Sequence, residues 1–338
     1  MQVQKLIRFL SYRLGYLGDK ITSHPTYQAG VEKIFYRPAL EKILGGPIAG
    51  KSPNEMFASV TDRFWFWLHT RGYRESASLR NILPSMPSED VQLTFTGDKG
   101  DAVLREGFGA YRLFKKLYAR HVGPLDKCSN ILDFGCGWGR IIRFFIKDLE
   151  PSKLWGVDPV EDVINTCKQN NRWCNFKAIN PKPPGPFPDN MFDLVYSFSV
   201  FSHLSEQMSN DLLAELTRIL KPGGMLIVTT RGRSFIEFCA SLRKSSDLES
   251  MHPGPRSAAA GFMNTEESLA EYDSGKYCFS QLDHEWSYWG ETAISKKYVL
   301  QHWTRSLDFV AFIPEGRQLV QSVIVMKKPE SLAALSVH

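Results

Sequence analysis

The stretch Asn130-Ile-Leu-Asp-Phe-Gly-Cys-Gly-Trp-Gly-Arg140, followed by Leu154-Trp-Gly-Val-Asp158, decides the fold. A short apolar run, Ile131-Leu132, carries Asp133 into a glycine turn, Gly135-Cys136-Gly137-Trp138-Gly139. A helical pattern of Ile141, Ile142, Phe144 and Phe145 comes next, and a second apolar strand ends on Asp158. Together these make one βαβ unit. Glycine after the first strand lets the chain turn tightly and lets a ligand approach the backbone. An acid closing the second strand can accept from both hydroxyls of a ribose.

A dinucleotide site has the same outline but needs Gly-x-Gly-x-x-Gly. Here the sixth position is Arg140, and the glycines run Gly-x-Gly-x-Gly. Asp133 beside the turn would repel a pyrophosphate, yet it suits a ligand with an ammonium and a sulfonium. The stretch, with its acid 23 positions after Gly135, resembles motif I and the acidic follow-on of class I S-adenosylmethionine-dependent methyltransferases. Asp189 to Ser197 resembles that family's Phe-Asp-Leu-Val fourth strand, and Lys221-Pro-Gly-Gly224 its turn into a fifth strand, Met225 to Thr230.

The resemblance covers residues 101–230 and 293–328. More loosely, the 83–107 lead-in, Ser199 to Leu204 and the Gln321-Ser-Val end resemble bacterial methyltransferases associated with surface polysaccharides. It implies an α/β, Rossmann-like, seven-stranded, mostly parallel sheet with helices on both faces. Strands Phe309–Ile313 and Leu319–Lys327 would form an edge with one antiparallel member. It also implies S-adenosylmethionine as cofactor, with S-adenosylhomocysteine as product. Asp133, Gly135, Cys136, Gly137, Asp158, Pro159, Asn180 and Ser197 are the residues expected to hold it.

Around this body we expect a mainly helical, basic extension over 1–100, a methyltransferase domain over 101–328 and a flexible tail over 329–338. The gapless run Phe64-Trp-Phe-Trp-Leu68 fits a buried core helix or the lining of an acceptor pocket. Val91-x-Leu93-x-Phe95 alternates as a short strand stopped by Gly97. Val103 to His121 is helical, and the resemblance implies that this helix covers the cofactor. Residues 231–292, rich in Gly, Pro, Ser and Ala and then in aromatics, interrupt the alternation as an irregular lid or acceptor insertion.

Composition narrows the class. The 338 residues are 43% apolar and 23% charged, which is usual for a globular chain. No apolar run approaches the ~20 residues that span a bilayer, and the first residues lack a secretory pattern. The six cysteines form no Cys-x-x-Cys pair and no zinc spacing, so they read as reduced thiols of a cytoplasmic protein without a metal. Residues 1–80 hold 12 Lys/Arg and 6 Asp/Glu, whereas the remainder is balanced to −1. A near-neutral body argues against a nucleic-acid channel. The Asn/Asp-Pro-Pro-Tyr signature of amino-methylating DNA enzymes is missing from the fourth strand, as are a Pro-Cys nucleophile and the paired glutamates of arginine methylation. The acceptors left are small molecules, sugars and lipid-linked glycans.

Methyl transfer from a sulfonium is an in-line displacement that benefits from positioning and, for a hydroxyl acceptor, from a general base. His203, at the methyl-bearing end of the sheet, is the candidate base; it could instead cap the following helix. His284 and Glu285, set among aromatics, would suit a hydroxylated acceptor or tie the lid to the core. A non-catalytic S-adenosylmethionine-binding partner protein is the alternative function.

Residues 1–21 carry Val3, Leu6, Ile7, Leu10, Leu14, Leu17 and Ile21 at helical spacing, with Lys5, Arg8, Arg13 and Lys20 off that stripe. Such a helix can lie on an anionic membrane or pack on the protein. Each Lys or Arg near an anionic surface contributes about 1 kcal/mol. Deleting residues 1–21 should therefore abolish co-sedimentation with anionic vesicles, and high salt should release the full-length protein. Full-length protein that ignores such vesicles at low salt makes the stripe a packing face.

Overall fold

The computed structural model describes residues 29–330 apart from 47, 49, 247, 251–252 and 283–285. The chain divides into two compact units, residues 1–51 and 52–338. In the first, a π turn Glu32–Tyr36 runs into the helix Arg37–Leu44, with Pro38 in its first turn. Leu40 is buried there, while Ile34 and Phe35 are exposed. The amphipathic stripe of residues 1–21 lies outside the described residues.

The second unit is built on a seven-stranded sheet. Its strands are β1 (Ile131–Phe134), β2 (Leu154–Asp158), β3 (Asn175–Ala178), β4 (Phe192–Ser197), β5 (Leu220–Thr230), β8 (Asp308–Ile313) and β9 (Ser322–Lys327). The spatial order is β3-β2-β1-β4-β5-β9-β8. β1 to β5 pair in parallel, and β9 runs antiparallel between β5 and β8. This is the Rossmann-like, mostly parallel sheet anticipated from motif I. Central strands covered on both faces must be apolar along their whole length, and all four residues of β1 and all six of β9 but Lys327 are buried. One face packs Leu132, Val195, Leu226 and Ile324 against Leu212 and Leu216 of the helix Glu206–Ile219. In register, Ile131 lies between Leu154 and Leu194, so β1, β2 and β4 run out at one edge.

Three local expectations are corrected. Val91 to Phe95 is not a strand but part of the helix Glu89–Thr96. Ser88 caps it by accepting from Val91 N, Glu89 and Asp90 sit in its first turn, and Gly97 closes it in the left-handed conformation. These end signals outweigh a three-residue alternation. After the glycine turn the chain forms a short 3-10 helix, Ile142–Lys147, whose six residues are all buried. Among its described residues the insertion has regular helices and strands. Helices Arg233–Leu242, Pro253–Ala260 and Thr265–Ser274 and the antiparallel pair β6 (Cys278–Gln281) and β7 (Gly290–Ala293) enclose a core of Phe235, Ile236, Cys239, Phe262 and Cys278.

The aromatic run is core. Trp65 and Leu68 have no solvent exposure, and Trp65 Nε1 donates to Phe144 O at 3.0 Å. Alongside, Lys115 meets Asp148 at 2.6 Å and Lys147 meets Asp62 at 3.2 Å. Burial pushes Asp62 up, but Lys115 and Lys147 outweigh it and hold the carboxyl below its usual range. The helix Asp62–Trp67 is thereby tied to the 3-10 helix that follows the glycine turn. Trp65→Ala should cost about 3–5 kcal/mol of stability through the cavity it leaves, read as a lower denaturant midpoint with an unchanged slope.

Candidate active site

The site starts at Gly135, where φ is +74° and a Cβ would stand 2.3 Å from Val200 Cγ2. Only glycine lets the backbone pass there. Gly135 N and Cys136 N both donate to Val157 O, at 2.8 and 2.9 Å. One residue on, Asp158 Oδ2 accepts from Gly137 N and Oδ1 from Val160 N, each at 3.0 Å. The end of β2 therefore holds the turn in place. Burial raises the Asp158 pKa against the pull of those two N–H groups, and each carboxylate oxygen keeps a lone pair for another donor.

Asp133 is 2% exposed and accepts from the Tyr196 hydroxyl at 3.0 Å. Burial pushes its pKa up to about 7, while Tyr196 and Arg140 oppose the rise. Arg140 pairs with Glu106 and lies 4.8 Å over the Phe198 ring.

These groups line a cavity of about 570 Å³ at the carboxyl ends of the strands, within the range of small-molecule sites and where open α/β sheets bind ligands. Asp133, Gly135, Gly137 and Asp158 form one side. Phe198, Val200, His203 and Leu204 also line it, as do Phe95, Trp286, Tyr288 and Trp289.

His203 does not cap the next helix, because Ser205 does so, accepting from Met208 N at 3.4 Å. Its Nδ1 lies 2.9 Å from Gly290 O. A carbonyl can only accept, so Nδ1 carries the hydrogen and Nε2 keeps its lone pair. The ring stacks on Trp289 at 4.9 Å and 14°. Behind it, Glu291 Oε2 stands 3.8 Å from Nδ1 and 4.0 Å from Arg231 Nε. Burial, then the Arg231 charge, brings the His203 pKa down to about 4. Burial pushes Glu291 up to about 7 against the pull of Arg231.

The other anticipated residues fall as follows. Cys136 is buried on the cavity wall, and Pro159 is exposed at its edge. Asn180 is exposed, its Oδ1 accepting from Lys182 N at 2.9 Å, and the wall there is Ile179 and Pro181. Ser197 is fully buried beside Val228 of β5, and Phe198 and Ser199 supply the wall instead. His284 and Glu285 lie outside the described residues. Sequence reading missed Phe95, whose helix was signalled by Ser88 and Gly97, and the Arg231–Glu291 pair, which nothing local in the sequence announces. All six cysteines are free. Among the described residues no group of three or more His, Cys, Asp or Glu could hold a metal ion, and no helix is long and apolar enough to cross a membrane.

Residues 131–224 match the family described as methyltransferase domain. The chain is 33% identical over 113 residues to an uncharacterized methyltransferase of Schizosaccharomyces pombe, covering 30% of this chain and 39% of that protein. It is 30% identical over 128 residues to the phosphoethanolamine N-methyltransferase of Plasmodium falciparum, covering 37% and 45%. It is 28% identical over 168 residues to a phthiotriol/phenolphthiotriol dimycocerosates methyltransferase of Mycobacterium ulcerans, covering 49% and 58%. The chain thus spans roughly half the length of these curated relatives.

The surroundings of His203 fix a measurable property. Its ring-proton resonances should titrate near pH 4, well below the ordinary histidine value of about 6.5, and Arg231→Gln should move the midpoint upward. A wild-type midpoint at or above the ordinary value would mean that the imidazole is hydrated and the Arg231 field absent.

Proposed function

We propose, from the match of residues 131–224 to a methyltransferase domain and from the mostly parallel seven-stranded sheet that carries it, that the protein is an S-adenosylmethionine-dependent enzyme that O-methylates an acceptor hydroxyl. The observation that carries this reading is that one cavity brings together the glycine turn, Asp158 and His203. The donor supplies an electrophilic methyl carbon bound to a sulfonium. The residues present fit it. Asp158 has lone pairs to accept two ribose hydroxyls, and Gly137 leaves open the space that a Cβ would fill, 3.7 Å from Phe95 Cδ1. Asp133 would face the ammonium group, and a cation arriving beside this buried carboxyl draws its pKa back down. Val160 and Ile179 offer apolar faces to an adenine.

On the acceptor side His203 takes the hydroxyl proton at Nε2. Gly290 O fixes the tautomer that leaves this nitrogen free, and the Trp289 stack holds the ring plane. The acceptors compatible with a hydroxyl at this position are a small molecule, a sugar or a lipid-linked glycan.

Release of S-adenosylhomocysteine over an acceptor panel separates this enzyme from a protein that only binds the donor. Asp158→Ala should leave the fold intact and weaken donor binding severely, since each charge-assisted hydrogen bond is worth roughly 1.5–3 kcal/mol. His203→Ala should keep donor affinity by calorimetry and lose roughly 10²–10⁴-fold in turnover. Unchanged donor affinity in the first variant, or near-normal turnover in the second, refutes the corresponding role.

A further inference from the structure

The helix Asp101–His121 contributes nothing to the lining of the cavity, and its outer face has a chemistry of its own. Ten of its 21 residues are buried. Among them Phe108 packs on Phe144 at 5.1 Å and Phe114 on Tyr196 at 5.2 Å. The helix is therefore held along its length with one face out. The exposed positions are Ala102, Arg105, Arg112, Lys116, Ala119 and Arg120. Every charged side chain among them is a cation. At 3.6 residues per turn, Arg105, Arg112, Lys116 and Arg120 lie within an arc of about 80° and along about 22 Å of the helix.

The two acids of the helix are turned to other partners. Asp101 accepts from Arg74 at 2.6 Å, and Glu106 pairs with Arg140. Asp62 stands 3.9 Å from Arg112 but nearer to Lys147, at 3.2 Å, and to Lys115, at 3.4 Å. Arg105 lies 5.5 Å over the Phe66 ring and Arg112 6.0 Å over Phe108, which steadies both guanidinium groups. Apolar side chains border this stripe. Gly109 lies midway along it, and Leu319 Cδ2 comes within 3.8 Å of where a Cβ there would be. Val320, the next residue in that loop, is 65% exposed, and Arg317 before it is exposed as well. Val122 follows the helix at 38% exposure.

We propose that this face is a docking surface for an anionic lipid bilayer, with Arg105, Arg112, Lys116 and Arg120 among the headgroups and Val122 and Val320 at the boundary with the acyl chains. A helix packed along its length offers a convex face rather than the groove that tracks a nucleic-acid strand, and exposed valines gain nothing from a phosphate backbone. A bilayer surface takes cations and small apolar side chains together. Each Lys or Arg close to an anionic surface strengthens binding about fivefold. The four together contribute about 10²–10³-fold, and the attraction falls away within a Debye length. Such an increment is weak by itself and shows in the affinity of the full chain. The surface is separate from His203 and from the stripe of residues 1–21.

The test titrates the full chain with vesicles of pure phosphatidylcholine and of phosphatidylcholine mixed with phosphatidylserine. Binding should require phosphatidylserine and should be lost at high salt. A quadruple variant carrying Arg105→Gln, Arg112→Gln, Lys116→Gln and Arg120→Gln should bind the mixed vesicles at least about 100-fold more weakly, with its calorimetric affinity for S-adenosylhomocysteine unchanged. In an otherwise unaltered chain, Val320→Asp should weaken vesicle binding about tenfold. Absence of binding by the full chain, or equal binding to both kinds of vesicle, overturns the docking surface. So does a quadruple variant that binds like the wild type, which assigns any membrane affinity to residues 1–21. An RNA oligonucleotide bound more tightly than the vesicles, and released in the quadruple variant, overturns it in favour of nucleic acid. If the quadruple variant loses S-adenosylhomocysteine as well, Val320→Asp decides, and unchanged vesicle binding in that variant overturns the surface.

Discussion

Two backbone N–H groups, those of Gly137 and Val160, converge on the carboxylate of Asp158, and the donor end of the site depends on that convergence. The turn after β1 and the chain leaving β2 are both tied to one side chain. Val157 O, accepting from Gly135 N and Cys136 N, adds a second tie from the same strand end. The turn cannot relax outward without orphaning buried polar groups. It cannot collapse inward either, because Val200 stands where a Gly135 side chain would be. A cavity wall made of backbone is thus rigid before any ligand arrives, which lowers the ordering cost of binding.

At the other end the electrostatics is of a different kind. His203, Arg231 and Glu291 meet behind the aromatic wall, where Glu291 Oε2 and Arg231 Nε both lack a hydrogen bond. Low dielectric makes such charges act strongly on their neighbours. The imidazole is held neutral by burial and by the arginine, and burial raises the pKa of the glutamate against the pull of the same arginine. The glycine-turn end of the cavity is fixed by hydrogen bonds and the His203 end by a field.

How far the sequence discloses this differs between the two ends. Ile131 to Asp158 could be read because a buried parallel strand, a glycine turn and a terminal acid are each local signals and lie close together in the chain. β4, β5 and the antiparallel edge could be read for the same reason. Val91 to Phe95 was misread because a short alternation competes poorly with Ser88 and Gly97 at the helix ends. The insertion was misread because its Gly, Pro and Ala content conceals a core whose members, such as Phe235, Phe262 and Cys278, lie far apart in sequence. The partners of His203 come from residues 289–291, nearly 90 positions away. No periodicity records such an encounter.

The insertion leaves the sheet after Arg231 and rejoins it at Ile294, where Ile294 N donates to Arg231 O at 3.2 Å and Arg231 bridges Ala293. Its entry and exit are neighbours, and the module is fastened again to the segment after β4, where Gly290 N donates to His203 O, Thr292 N to Ser202 O and Ser205 N to Tyr288 O, each at 2.8 Å. Growth or shrinkage that keeps residues 288–292 in place leaves both fastenings untouched. A lineage, or an engineer, could reshape the outer helices of the module, whereas exchanging it whole would also remove the backbone ties that hold His203 in place.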